Sequence, residues 1–178
     1  MLAEVDLTLQ DVSGDQDDFP WPFAIVPVLL NGHGPFPFAV EIGRGRTMLT
    51  EEVVRTIGIE PAAIPGKLTL KGEGCSLDFP LLKLTSLAIG SAALTEFDAM
   101  VWANPKITWE PEQQRKQEVA GPVVSVRSSS GAETTTHSGP QWMGIVGFDF
   151  LKFFNVTFDF PRKKLRLKSD HRSVGTTS

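Results

Sequence analysis

The stretch Phe38-Ala39-Val40-Glu41-Ile42-Gly43-Arg44-Gly45-Arg46-Thr47-Met48-Leu49 carries the most information about the fold of this chain. It begins inside an apolar run, Phe36 to Val40, which is typical of a strand. Glu41 follows directly, and two arginines alternate with two glycines beyond it. Apolar residues return at Met48. The sequence therefore predicts a strand, a turn that carries one carboxylate and two guanidinium groups, and a second apolar segment.

Local signals on both sides of this stretch predict a hairpin and a helix. Ile25 to Leu30 has the pattern of a strand, and Pro27 places that strand at an edge or a bulge. Asn31-Gly-His-Gly34 is a turn, because Asn-Gly readily adopts the positive φ values of a tight hairpin. Thr50 to Gly58 is the clearest helix, with a threonine N-cap, two glutamates in the first turn and a glycine stop.

Composition limits the class of protein and its partners. The chain has 178 residues, of which 41% are hydrophobic and 21% charged, as in a globular domain that can bury its own core. A net charge of −4 provides no broad positive field, so no nucleic-acid partner is expected. The single cysteine, Cys75, excludes an internal disulfide. The three histidines lack metal-ligand spacing, so neither a metal nor a cofactor is expected.

No membrane partner is expected either, because no apolar run approaches the roughly 20 residues of a membrane helix. The first residues, Met1-Leu-Ala-Glu-Val-Asp6, lack the basic and apolar regions of a secretory signal. We therefore expect a cytoplasmic protein, or a periplasmic one if a leader precedes the sequence.

Thirteen prolines, sixteen glycines and short alternating runs predict an all-β domain. Residues 1–18 are predicted to form an N-terminal strand and an acidic turn, and 19–168 the main domain. Within it, 104–141 is polar and is expected to be a mobile insertion. Residues 169–178 are expected to be a disordered tail.

A second stretch, Gly144-Ile145-Val146-Gly147-Phe148-Asp149-Phe150-Leu151, completes a resemblance to the retropepsin-like aspartic proteases. In that family an apolar strand runs into Asp-Thr-Gly. An apolar-apolar-Gly element, here Ile145-Val146-Gly147, lies late in the chain, and in bacterial members Gly-x-Asp-Phe-Leu then starts a short helix. A flap-like hairpin is expected from Lys67 to Leu84 and a final hairpin from Val156 to Leu167. The resemblance implies a closed β-barrel, the acid-protease half-domain, with one or two short helices.

The resemblance also implies chemistry that the residues of the turn disfavour. Family members work as homodimers in which two aspartates share one proton. Glu41 occupies the aspartate position, but its extra methylene displaces the carboxylate by about 1.5 Å, and an error near 1 Å can cost about 10²-fold in rate. Ile42 lacks the hydroxyl of the family threonine, which hydrogen-bonds across the dimer. Arg44 replaces a small residue and can pair with Glu41.

These departures leave three hypotheses. The first is a catalytically impaired homologue that keeps the fold for binding a peptide or protein partner. The second is an active homodimeric endopeptidase that uses Glu41 from each subunit, and the third is a structural β-domain. Glu41 is the predicted catalytic position, Gly43 and Arg44 are predicted to contact substrate, and Asp149 is predicted to cap a helix from Phe150 to Phe154.

Overall fold

Strands dominate the computed structural model, which describes residues 2–10, 23–72, 75–103, 106–109 and 142–169. Two helices are described, α1 (Glu51–Thr56) and α2 (Phe148–Leu151), and a 3-10 turn covers Pro61–Ala63. The strands are β1 (Leu2–Asp6), β2 (Thr8–Gln10), β3 (Phe23–Leu30), β4 (His33–Val40), β5 (Met48–Thr50), β6 (Lys67–Gly72), β7 (Cys75–Ile89), β8 (Ala92–Trp102), β9 (Lys106–Trp109), β10 (Gly144–Val146), β11 (Phe154–Asp159) and β12 (Lys164–Ser169).

The strands form a nine-stranded sheet and a three-stranded sheet. The large sheet has the order β2-β3-β4-β10-β5-β8-β7-β6, with β9 paired to β7. A further pairing, Leu29 with Ala88 and Leu30 with Leu87, joins β3 to β7 and closes β3-β4-β10-β5-β8-β7 into a barrel. The small sheet has the order β1-β12-β11. The all-β class and the closed barrel expected from the sequence are therefore confirmed.

The turn between β3 and β4 follows the sequence signal. Asn31 and Gly32 have φ values of 51° and 80°, as a tight hairpin requires. Pro27 lies opposite Pro37 of β4. On its other side β3 pairs with β2 as far as Ile25 and with β7 only from Leu29, so Pro27 lies between the two partners. A proline is tolerated there because no ladder bond needs its missing N–H.

Helix α1 begins where the sequence predicted. The hydroxyl of Thr50 accepts a hydrogen bond from the backbone N–H of Val53 at 3.4 Å, so Thr50 is the N-cap. Gly58 has a φ of 82°, which stops the helix. Val53 and Val54 are fully buried against the barrel. The helix thereby covers the end of the barrel just after β5.

The hydrophobic interior has two parts. The larger cluster fills the barrel and includes Phe38, Leu84 and Phe150, each fully buried. The smaller cluster lies between the barrel wall and the β6–β7 hairpin, and its members are Ile25, Ala39, Met48, Phe79, Met100 and Ile145. The flap-like hairpin predicted from Lys67 to Leu84 is therefore present and is packed on the wall that holds the Glu41 turn.

The structure describes parts of the predicted N-terminal segment and of the predicted insertion. Residues 1–18, predicted to form a strand and an acidic turn, contain two described strands, and β1 pairs with β12 near the other end of the chain. The predicted insertion 104–141 contains β9, which is held by pairing Cys75 to Asp78 of β7 with Trp109 to Lys106. Three of its four residues, Ile107, Thr108 and Trp109, are of types enriched in strands, and the prediction missed them because it weighed the polar composition of the whole segment. The rest of the insertion and the tail from 170 lie outside the described residues.

Within the described part of the chain, no helix has the length and apolar character that a membrane crossing would require. The two described helices are 6 and 4 residues long.

Candidate functional site

Two distant stretches meet where β4 and β10 run side by side. The strands are parallel, with Ile145 opposite Ala39 and Val146 opposite Val40. The backbone N–H of Glu41 donates to the carbonyl of Val146 at 3.1 Å. Glu41 therefore leaves the sheet beside Gly147, and the turn that follows β4 is built against the start of α2.

Gly147 is required by the closeness of this contact. A Cβ atom added to it would lie 2.6 Å from the carbonyl carbon of Arg46 and 2.8 Å from the carbonyl oxygen of Arg44. The backbone N–H of the next residue, Phe148, donates to the Arg44 oxygen at 2.7 Å. The apolar-apolar-Gly element thus clamps the Glu41 turn through main-chain contacts that only glycine permits.

Asp149 and Thr47 form a second clamp between the same loops. The backbone N–H of Thr47 donates to both carboxylate oxygens of Asp149, at 2.9 and 3.0 Å, and its hydroxyl donates to Oδ1 at 2.7 Å. The hydroxyl also accepts from the backbone N–H of Gly147 at 3.1 Å, and Thr47 is fully buried. The Thr47–Asp149 clamp joins residues that are 102 positions apart.

The predicted capping role of Asp149 is wrong in its main part. Helix α2 begins at Phe148 and has Gly147 at its N-cap, so Asp149 lies inside the first turn. Its carboxylate does accept from the backbone N–H of Phe150 at 2.9 Å. The other donors belong to Thr47, however, because the parallel pairing of β10 with β4 brings that loop within reach.

Glu41 and Arg44 form an ion pair inside the turn. The Nε of Arg44 donates to Oε2 of Glu41 at 2.8 Å, and the side chains are 38% and 37% exposed respectively. The Nη1 of Arg44 donates to the sulfur of Met48 at 2.9 Å. The turn is closed by a bond from the Arg44 N–H to the Glu41 carbonyl at 3.2 Å. One carboxylate oxygen of Glu41 is therefore occupied by a cation from its own loop.

The remaining residues of the turn face outward. Ile42 is 55% exposed, an unusual position for isoleucine. Gly43 is exposed and an added Cβ would meet no atom within 4 Å, so its glycine identity is not required by packing. Arg46 is exposed and forms no ion pair among the described residues. Phe148, on the facing loop, is 50% exposed. The tip of the turn therefore presents apolar surface.

A cavity of about 540 Å³ opens beside the Glu41–Arg44 pair. Its walls are mostly apolar and come from β3, the turn, β5, β8 and β10. They are Phe23, Glu41, Arg44, Met48, Leu49, Thr50, Trp102, Trp142, Gly144 and Ile145. This volume lies within the range of small-molecule pockets, about 300–1,000 Å³. Of the predicted site residues, Glu41 and Arg44 line the cavity and Gly43 does not.

The tryptophans of the cavity were not predicted as site residues. The sequence favoured core or barrel-end positions for all four tryptophans over a ligand-binding role. Trp102 is instead 56% exposed and stacks on Phe79, with ring centroids 5.8 Å apart. Trp102 lies at the end of β8 beside β5, and this position follows from the parallel β5–β8 pairing, which the sequence did not predict. In the described residues no group of three or more His, Cys, Asp or Glu side chains could hold a metal ion.

Comparison with known proteins identifies a solved structure of similar fold. No family model matches the sequence, and no curated protein matches it. Among solved structures, the chain is similar to a retropepsin-like aspartic protease from Rickettsia conorii, with a TM-score of 0.51 and 14% sequence identity. The match covers 94% of this chain and 91% of that one. With the closed barrel, the β4–β10 pairing and the hairpin above it, this chain has a retropepsin-like all-β fold.

Proposed function

We propose that this protein binds polypeptide in the cavity beside the Glu41 turn and does not cleave it. The observation that carries the proposal is the ion pair between Arg44 Nε and Glu41 Oε2, at 2.8 Å. The carboxylate that a retropepsin-like peptidase would direct at a water is here bonded to a guanidinium from the same loop.

The chemistry of aspartic proteases explains why this pair matters. Two carboxylates must lie close together and share one proton, so that one accepts a proton from water while the other donates to the substrate carbonyl. Glu41 would have to release Arg44 before its Oε2 could take either role. The extra methylene adds an error of about 1.5 Å, and preorganised catalysis loses about 10²-fold for errors near 1 Å. Ile42, at the tip of the turn, has no hydroxyl to hold a second turn in register.

Retention of the binding part of the fold supports the other half of the proposal. The cavity is open beside the turn, and the β6–β7 hairpin packs on the same wall. Aromatic rings and Met48 provide an apolar lining that suits side chains of a polypeptide. Most of the cavity lining and the whole hairpin come from residues other than Glu41, so binding can persist where cleavage has been lost.

A homodimer belongs to this proposal. Ile42 and Phe148 lie on the two clamped loops, and both are about half exposed. A second copy meeting at the turn would remove both side chains from water, which favours association. The same contact would bring two Glu41 side chains toward one axis.

The alternative is an active homodimeric endopeptidase that uses Glu41 from each subunit. The observation that favours it is that Glu41 lines the cavity and is 37% exposed, so a substrate could reach it. One experiment addresses both functions. A fluorescently labelled, unfolded polypeptide is mixed with the protein from pH 3 to 7, binding is followed by anisotropy, and the polypeptide is then checked for cuts. We expect binding without cuts.

A restored variant provides the matched comparison. Glu41→Asp, Ile42→Thr and Arg44→Ala together return the family pattern to the turn. Cleavage by this variant and not by the natural sequence would support the proposal. Cleavage by the natural sequence that disappears in Glu41→Gln would overturn it in favour of the alternative.

A further inference from the structure

Arg44 has hydrogen-bonding capacity that its partners do not use. A guanidinium carries five N–H donors. One Nε donor reaches Glu41 and one Nη1 donor reaches Met48, and the described residues offer no further partner. The outer edge of the group, formed by Nη1 and Nη2, is one of the two edges that can bind a carboxylate with two parallel bonds. The side chain is 38% exposed and lines the cavity, so part of it is open to a ligand there.

The apolar lining of the cavity adjoins the guanidinium of Arg44. Met48, which the guanidinium touches, belongs to the same lining as Trp102 and Trp142. A volume of about 540 Å³ lies within the range of ligand pockets and leaves room for more than one apolar side chain. A ligand that fills the apolar lining and also pairs with Arg44 has a large apolar portion and one carboxylate at its end.

A second carboxylate on Arg44 is compatible with the one already present. Arg166 likewise faces two carboxylates, since its Nε lies 2.7 Å from Glu4 and its Nη1 lies 3.5 Å from Asp159, which is also paired with Arg162 at 3.1 Å. In the turn, Glu41 holds the Nε side and thereby fixes the plane of the guanidinium. Glu41 is thus a positioning residue for Arg44.

We propose that the cavity recognises the free C-terminus of a polypeptide that ends in large apolar residues, with Arg44 binding the terminal carboxylate. This rests on the proposed function, since it names the kind of polypeptide that the same cavity takes. An internal segment without Asp or Glu has no carboxylate to offer Arg44, so among such polypeptides the site selects chain ends. Polypeptides whose last residue is amidated bind less well.

The test compares two labelled short peptides that end in leucine and phenylalanine, one with a free carboxylate and one with a carboxamide. Fluorescence anisotropy gives the dissociation constant of each. Charge-assisted bonds are stronger than neutral ones, so we expect the acid to bind about tenfold more tightly than the amide. Arg44→Gln should remove that preference. Arg46→Gln is the matched control, because it removes the same charge from the same loop outside the cavity, and it should keep the preference.

The outcomes separate this inference from the proposed function. Equal binding of acid and amide by the natural protein overturns the inference and leaves polypeptide binding intact. Binding of neither peptide, nor of a longer unfolded polypeptide, overturns both. If N-acetylphenylalanine displaces the labelled peptide as well as the unlabelled peptide does, the ligand is a small apolar acid. That result would overturn the inference that the site recognises the end of a polypeptide. If Arg44→Gln does not fold, the acid and amide comparison on the natural protein decides alone.

Discussion

The Thr47–Asp149 clamp should be the largest single polar contribution to the stability of the candidate site. Asp149 accepts from three donors, namely the N–H and hydroxyl of Thr47 and the N–H of Phe150. Asp149→Ala leaves these donors without their acceptor, and Thr47 is fully buried. Each hydrogen bond to a charged group contributes about 1.5–3 kcal/mol, and water entering the vacated space recovers part of the loss. We expect the free energy of unfolding to fall by about 3 kcal/mol.

Urea denaturation followed by circular dichroism measures this change. With a slope of about 2 kcal/mol per molar, a loss of about 3 kcal/mol moves the midpoint by about 1.5 M. Asp6→Ala is the control, since that carboxylate is 85% exposed and its pair with Lys164 is a surface ion pair, which contributes little to stability. A midpoint shift in Asp149→Ala no larger than in Asp6→Ala would refute the reasoning.

A double-mutant cycle shows whether the two residues act together. Thr47→Val removes the hydroxyl with little change in volume. If the clamp is real, Thr47→Val costs less in the Asp149→Ala background than in the natural protein, by about 1–2 kcal/mol. Additive effects would mean that each residue stabilises the loops separately.

Three further changes test other parts of the structure. Ile42→Asp should convert the proposed homodimer to monomer in sedimentation equilibrium, because a charge would be buried at the axis; an unchanged mass would contradict that contact. Gly147→Ala should lower the free energy of unfolding by about 2 kcal/mol, or Tm by roughly 4–8 °C, because its Cβ would meet backbone atoms at 2.6 Å. Gly43→Ala is the control and should shift Tm little, since it has open space around it. Similar shifts in the two variants would be evidence against the clamp. The pKa of Asp159 is lowered, chiefly by its hydrogen bond from Arg162. Its contribution to folding stability is therefore fully present above the ordinary pKa of about 3.9 and is lost as pH falls through the lowered pKa. When stability is measured against pH in acid, Asp159→Asn should lose less of it than the natural protein.

Local sequence signals predicted the elements that local chemistry determines. Asn31-Gly32 required a tight turn, and Thr50 required a helix start, because each acts within a few residues of itself. The strand before Glu41 and the Ile145-Val146-Gly147 element were also recognisable as apolar segments. The resemblance then placed them in one fold, and the β4–β10 pairing brings them together as that fold requires.

Long-range contacts explain what the sequence did not predict. Asp149 looks like a helix cap when only its neighbours are considered, and its bonds to Thr47 exist because parallel pairing aligns two loops 102 positions apart. The exposure of Trp102 depends in the same way on the pairing of β8 with β5. Strand β9, which pairs with β7, was missed because its four residues were judged together with the polar segment that follows them, although Ile, Thr and Trp are typical of strands. The Glu41–Arg44 pair was anticipated because its residues are three positions apart.

The central claim is that the Glu41 turn no longer supports peptide hydrolysis. Its most direct test is a search by mass spectrometry for fragments of an unfolded protein substrate after incubation with the natural protein and with Glu41→Gln, from pH 3 to 7. We predict that the two samples give the same fragments as the substrate alone at every pH. Fragments that form with the natural protein and are missing with Glu41→Gln would contradict the claim.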